Sequence, residues 1–230
     1  MQRLLTGVLK FRDHAFQKRR DLFEGLAHGQ NPQALFITCS DSRICPSLIT
    51  QCDPGDLFVV RNAGNLVAPN DVGGGEAASI EYAIKALKIS DVIVCGHYNC
   101  GAMIGLLDHG TDIPGMDHVS RWLSHGEAAR QLVLSEYDDL SRAAKIEKLV
   151  EANVLLQIEH LASLSVVAEA LDEGNLDIHG WVYRIETGEM LTFDLESGSF
   201  KPIGRLDEGK STGTLTPLLS GTYAGGVVGS

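Results

Sequence analysis

Two short segments hold the residues best suited to chemistry. Cys39-Ser40-Asp41-Ser42-Arg43 follows one apolar run, and His97-Tyr98-Asn99-Cys100 follows another. Taken alone, Cys-x-Asp-x-Arg reads equally well as a buried cysteine beside a surface ion pair, and short Cys/His pairs are common. Together they form a set: two thiolates and one imidazole are the soft-to-borderline donors that suit zinc. Three protein ligands leave a fourth tetrahedral position open, the pattern of a catalytic rather than a structural site. A structural site would need a fourth Cys or His nearby. Cys95 is the candidate, but two residues before His97 on a strand it is expected to point into the sheet core.

The elements that must position these residues follow from periodicity. Ala34 to Thr38, Leu57 to Arg61 and Asp91 to Cys95 are short apolar runs that predict buried strands, the second introduced by a Pro54-Gly55-Asp56 turn and the third preceded by a helix from about Glu76 to Leu87. Continuous apolar strands alternating with helices predict an α/β fold whose mostly parallel sheet is covered on both faces. Ligands of such sheets bind outside the carboxyl ends of the strands, where both motifs lie. Leu4 to Leu26 has helical spacing and ends at a Gly29 to Pro32 break. Val119 to Leu171 is helical in pattern. His179 to Phe193 predicts a hairpin turning at Thr187-Gly188.

The expected organisation is a helical arm over residues 1–30, a zinc-binding α/β domain over 31–202 and a flexible tail over 203–230. Of the last 28 residues seven are Gly and seven are Ser or Thr, too few apolar groups to offset ordering entropy. Leu215, Pro217, Leu218, Leu219 and Tyr223 leave open a second reading of the tail, a short docking segment.

Composition narrows the function classes. The 230 residues carry 19 basic and 30 acidic side chains, a formal charge of −11, which argues against nucleic acid or an anionic membrane as main partner. No run of 18 apolar residues is present, so no spanning helix is expected. Arg3, Lys10 and Arg12 interrupt any secretory apolar stretch, so a cytoplasmic location is expected. The five cysteines, odd in number, then read as thiols or ligands rather than disulfide partners.

Four segments carry a resemblance to one family: Cys-Ser-Asp-Ser-Arg (39–43), Pro-Gly-Asp-Leu-Phe-Val-Val-Arg-Asn-Ala-Gly-Asn (54–65), Ile-Glu-Tyr-Ala (80–83) and Cys-Gly-His-Tyr-Asn-Cys-Gly (95–101). From about Leu22 to Leu195 the chain resembles the β-class carbonic anhydrases, in their plant and cyanobacterial branch and especially the carboxysomal type. The resemblance implies zinc-dependent reversible hydration of carbon dioxide, with one Zn2+ per chain on Cys39, His97 and Cys100. It implies that Arg43 holds Asp41 ionised and off the metal, that Asp41 orients the zinc-bound hydroxide, and that in a closed state Asp41 becomes the fourth ligand. It implies a substrate pocket of Gln30, Phe58 and Tyr82 contributed by a neighbouring subunit, hence a homodimer or higher even-numbered oligomer. A location inside a bacterial carboxysome, with the tail bound to a scaffold protein, is a further implication. Two other readings keep the metal: hydrolysis of carbon disulfide or carbonyl sulfide, and a zinc-bearing carboxysome scaffold, which the retention of Asp41, Arg43 and Gln30 weighs against. Some members carry a bicarbonate-inhibitory Trp, Arg and Tyr; the matching positions here are Phe36, Arg61 and Tyr183.

The remaining motifs are read plainly. Gly73-Gly74-Gly75 is a flexible helix entry without nucleotide-loop spacing, Cys45 and Cys52 are packing residues, and His109, His118 and His125 are solvated.

Overall fold

The run Ala34–Cys39 forms strand β1, and all six of its residues are buried. A strand so uniformly apolar must have both faces covered, and it sits inside the sheet. A computed structural model describes residues 1–70 and 72–204. Within them β1 pairs in parallel with β2 (Leu57–Asn62) on one side and with β3 (Asp91–His97) on the other. Strand β4 (Asp177–Arg184) adds in parallel to β3, and β5 (Glu189–Asp194) and β6 (Ser199–Pro202) close the sheet antiparallel, giving the order β2-β1-β3-β4-β5-β6. The chain leaves β1 toward one edge and returns to its other side at β3. That reversal opens a crevice between the carboxyl ends of β1 and β3.

The predicted strands are present and slightly longer than expected. The hairpin turns at Thr187-Gly188, with Gly188 at φ 76°, and its first strand extends the parallel sheet. The short β6 was not expected: Ser-Phe-Lys-Pro offers one apolar side chain, Phe200, which packs edge-on against Phe193 with ring centroids 5.3 Å apart.

The helices of the described residues are α1 (Gln2–Lys10), α2 (Phe16–Lys18), α3 (Arg20–Leu26), α4 (Pro46–Thr50), α5 (Gly75–Glu81), α6 (Gly101–His109), α7 (Asp117–Leu123), α8 (Glu127–Glu136), α9 (Arg142–Ala162) and α10 (Ser165–Asp172). Single π turns at Phe11–Ala15 and Tyr82–Ala86 interrupt the arm and extend α5. The 21-residue α9 is the main support. Ser141 caps it by accepting the Ala144 amide at 3.3 Å, and its buried residues, from Ile146 through Leu149, Val150, Asn153, Val154 and Gln157 to Leu161, recur at helical spacing. It lies against β3 and β4 at a close approach that Gly96 permits, since a β-carbon there would sit 2.8 Å from Val154 Cγ2.

The arm behaves differently. No residue of α1 is buried, and Leu4, Leu5, Val8, Leu9 and Phe11 are exposed. Farther along, Phe11, Phe16 and Phe23 cluster, and Arg19 pairs with Asp53. The tail expectation lies, from residue 205 onward, outside the described residues. Among the described residues no single helix is long and apolar enough to cross a membrane.

Candidate metal centre

Cys39 is the last residue of β1 and His97 the last of β3, so the parallel pairing of the two strands sets them at the mouth of the crevice. Cys100 follows one turn later as the N-cap of α6. The ligand atoms of all three lie within 4.8 Å of one another, and all three residues are buried. The two sulfurs are 3.9 Å apart, close to the roughly 3.8 Å spacing of two thiolates on a tetrahedral zinc with Zn–S bonds of about 2.3 Å.

The histidine is oriented for ligation. Its Nδ1 donates to the Tyr98 carbonyl at 3.0 Å, which leaves the Nε2 lone pair free. Nε2 is buried and has no hydrogen-bond partner among the described residues. An unpaired imidazole nitrogen beside two sulfurs is costly in a protein interior unless a cation takes it up. The sulfurs give the same indication. Sharing a proton with Cys100 lowers the Cys39 thiol, with His97 and the Gly64 amide in support. The same contact and burial raise the Cys100 thiol, against the pull of the Met103 and Ala102 amides. A divalent cation between them would allow both to be thiolates, so the donor set fits a zinc ion.

Asp41 stands over this group. Its Oδ2 lies 3.8 Å from His97 Nε2, and Arg43 grips both carboxylate oxygens, Nε to Oδ1 at 2.9 Å and a terminal nitrogen to Oδ2 at 2.7 Å. The Arg43 amide adds a third bond to Oδ1 at 3.0 Å, and its guanidinium also reaches the Asn99 carbonyl, tying the two motifs together. The Arg43 fork holds the Asp41 carboxyl well below the usual carboxylate range. Ionised and engaged by Arg43, Asp41 keeps Oδ2 3.8 Å from His97 Nε2.

The structure therefore brings Cys39, Asp41, Arg43, His97 and Cys100 into one cluster. Gln30 is exposed in the loop between α3 and β1. Phe58 on β2 and Tyr82 after α5 face each other with ring centroids 6.0 Å apart, and Tyr82 is 49% exposed. Among the described residues no hydrogen bond or ring contact joins these three to the cluster. Cys95 is fully buried on the sheet with Phe36 and Ile93, and burial pushes its thiol up to about 12. It is no fourth ligand, as expected. Phe36 packs edge-on against Trp181 instead of facing Arg61 or Tyr183 through a ring contact.

Two contributors were not expected in these roles, Arg61 having been matched only to the bicarbonate-inhibitory arginine. The Gly64 amide donates to Cys39 Sγ at 3.4 Å, and Arg61 holds the carbonyls of Cys39 and Asp41 at 3.0 and 2.8 Å. The signal for Gly64 was its place in Asn-Ala-Gly-Asn: it sits at φ 85°, and a β-carbon would lie 3.0 Å from Met103 Cε.

Comparison with known proteins agrees with this geometry. The carbonic anhydrase family model matches residues 34–190. A carbonic anhydrase of Synechocystis is 50% identical over 195 residues, covering 84% of this chain and 71% of its own length. The solved β-carbonic anhydrase CcaA superposes with a TM-score of 0.86 at 48% identity, covering 90% of this chain and 93% of that one. A tetrameric β-carbonic anhydrase of Sordaria macrospora gives a TM-score of 0.76 at 31% identity, over 83% of this chain and 95% of that one. With the family model spanning most of the sheet and both halves of the ligand cluster, the chain belongs to the carbonic anhydrases, in their β class.

Proposed function

We propose that this carbonic anhydrase hydrates carbon dioxide reversibly through one zinc ion per chain, held by Cys39, His97 and Cys100. The observation that carries the reading is the buried His97 Nε2, without a hydrogen-bond partner among the described residues and within 4.8 Å of two sulfurs that are 3.9 Å apart. When bound, the metal supplies a hydroxide nucleophile near neutral pH by lowering the pKa of water toward about 7. The protein does the rest. The Tyr98 carbonyl fixes the His97 tautomer, the Gly64 amide offsets charge on Cys39, and Arg43 keeps Asp41 ionised and aimed. With a metal in place, an ionised Asp41 oxygen would accept a hydrogen bond and so orient the attacking group. Turning Asp41 away from Arg43 toward the metal would give the closed, inactive state.

The substrate pocket is completed by a second copy. Phe58 on the edge strand β2 faces Tyr82, the apolar side of α1 is uncovered by the described residues, and one structural relative is tetrameric. On this reading Gln30, Phe58 and Tyr82 line the partner's site, with the arm (1–30) clasping the partner and residues 31–202 forming the catalytic unit. The tail, 203–230, is proposed to bind a carboxysome scaffold protein. This rests on the likeness to cyanobacterial relatives, and truncation at Ile203 should reduce scaffold co-purification without changing zinc content.

Elemental analysis beside stopped-flow carbon dioxide hydration tests the metal assignment. Wild type should hold about one zinc per chain, and Cys39→Ser and Cys100→Ser should lose both metal and turnover, because a neutral hydroxyl is a poor zinc ligand. Full zinc occupancy in both variants would refute it.

A further inference from the structure

The segment after β2 that carries the Gly64 amide is pinned from several elements, and two of the pins come from α9. The Asn62 side chain bridges the amide and carbonyl of Leu66, both at 2.8 Å. Trp122 Nε1 donates to the Ala63 carbonyl at 2.9 Å, and the Val67 amide donates to Gln157 Oε1 at 2.8 Å. Asn153 Nδ2 donates to the carbonyl of Gly64 itself at 3.0 Å. Asn153 is in turn held in place, its Oδ1 accepting from Gln157 Nε2 at 3.0 Å, while that nitrogen also donates to the His125 carbonyl at 3.1 Å. Asn153 and Gln157 are 1% and 0% exposed, in the middle of an otherwise apolar helix face.

Packing alone does not account for two amides there, since apolar residues of similar volume would fill the space without having to satisfy eight hydrogen-bonding sites. Their bonds do have a shared target. Asn153 grips one end of the Gly64 residue by its carbonyl, and the amide at the other end meets Cys39 Sγ. A glycine at φ 85° has little to hold it in that conformation except such contacts.

We propose that Asn153, locked by Gln157, is a positioning residue for the metal centre: by holding the Gly64 carbonyl it aims the Gly64 amide at the Cys39 ligand. The inference rests on the metal-site reading above and adds a contributor from α9, 53 residues beyond the last ligand. Partners that orient a ligand in this way are commonly worth tenfold to a hundredfold in metal affinity or activity.

The test uses the full chain, loaded with zinc and, in parallel, with cobalt(II) as a spectroscopic probe. Asn153→Asp keeps the shape and the acceptor for Gln157 but loses the donor to Gly64. Asn153→Leu loses both bonds. Leu149→Ala, a cavity on the same helix that touches neither bond, controls for general loosening. Both Asn153 variants should release zinc to a chelator at least about tenfold faster than wild type. Their thiolate-to-cobalt charge-transfer band should shift, while Leu149→Ala lowers the melting temperature and leaves the band and the release rate near wild type. Release rates and bands unchanged in the Asn153 variants, or altered equally in Leu149→Ala, would overturn the proposal. So would failure of both Asn153 variants to fold while Leu149→Ala folds, which would place Asn153 in stability alone. If wild type itself gives no thiolate band with cobalt, the metal-site reading falls first and this inference falls with it.

Discussion

Gly96→Ala is the most informative single change to the scaffold, because Gly96 precedes His97, a proposed metal ligand, and touches α9. The added methyl would lie 2.8 Å from Val154 Cγ2 and 3.2 Å from Val150 Cγ1. Comfortable carbon contacts need about 3.5–4.0 Å, so strand and helix must separate by roughly 0.7 Å. Val154 cannot swing aside, since a β-branched residue in a helix has one favoured rotamer and this one is fully buried. Overpacking of this kind costs about 1–3 kcal/mol, and about 2 kcal/mol corresponds to roughly 4–8 °C in melting temperature for a chain of this length. Val154→Ala alone should also cost about 2 kcal/mol, for two buried methyl groups and the cavity they leave. Together the changes should compensate, because the new methyl occupies the vacated space. The double variant should be more stable than the sum of the single effects by about 1 kcal/mol or more. Denaturant unfolding at constant m-value reads this directly. The functional reading is sharper. Gly96→Ala should slow hydration by on the order of ten- to a hundredfold through displacement of His97, and Val154→Ala should restore most of the rate. Strict additivity in the cycle, or a Gly96→Ala protein of wild-type stability and rate, would refute the reasoning.

Two further outcomes follow from the same geometry. Asp41→Asn should keep the fold and most of the zinc while losing on the order of a hundredfold in hydration rate, since oriented electrostatic contacts are worth about 3 kcal/mol; a wild-type rate would remove Asp41 from the mechanism. His160 is held below its ordinary value by burial, its Nδ1 donating to the Val67 carbonyl at 3.0 Å. A depressed folded value means that the unfolded chain takes the proton first, so stability is full above the ordinary histidine value of about 6.5 and falls as pH drops below it. His160→Gln should flatten that fall between about pH 7.5 and 5.5 in thermal melts; identical pH slopes in the two proteins would contradict it.

How much of this was legible in the sequence depended on the range of the interactions. Strands β1 and β3 were readable because burial on both faces leaves an unbroken apolar run. The clustering of Cys39, His97 and Cys100 was readable because ligand chemistry restricts residue type and the crevice lies where such strands end. The Asp41–Arg43 fork spans two residues and was visible as a local pattern. Gly64, Asn153 and Gln157 were not visible in this way. Asn153 meets Gly64 across 89 residues, and in sequence it reads as a polar interruption of an amphipathic helix. The π turns of the arm and of the segment after α5 shift the helical register by a residue, which periodicity blurs rather than marks. Strand β6 carries too few apolar side chains to announce itself.

The central claim is that catalysis belongs to a zinc ion on Cys39, His97 and Cys100. Titrating metal-free protein with zinc while following carbon dioxide hydration by stopped flow tests it most directly. The account predicts no turnover at the start, a linear rise, and a sharp break at about one zinc per chain. Appreciable hydration by the metal-free chain, or full zinc uptake at these three residues without any hydration, would contradict it.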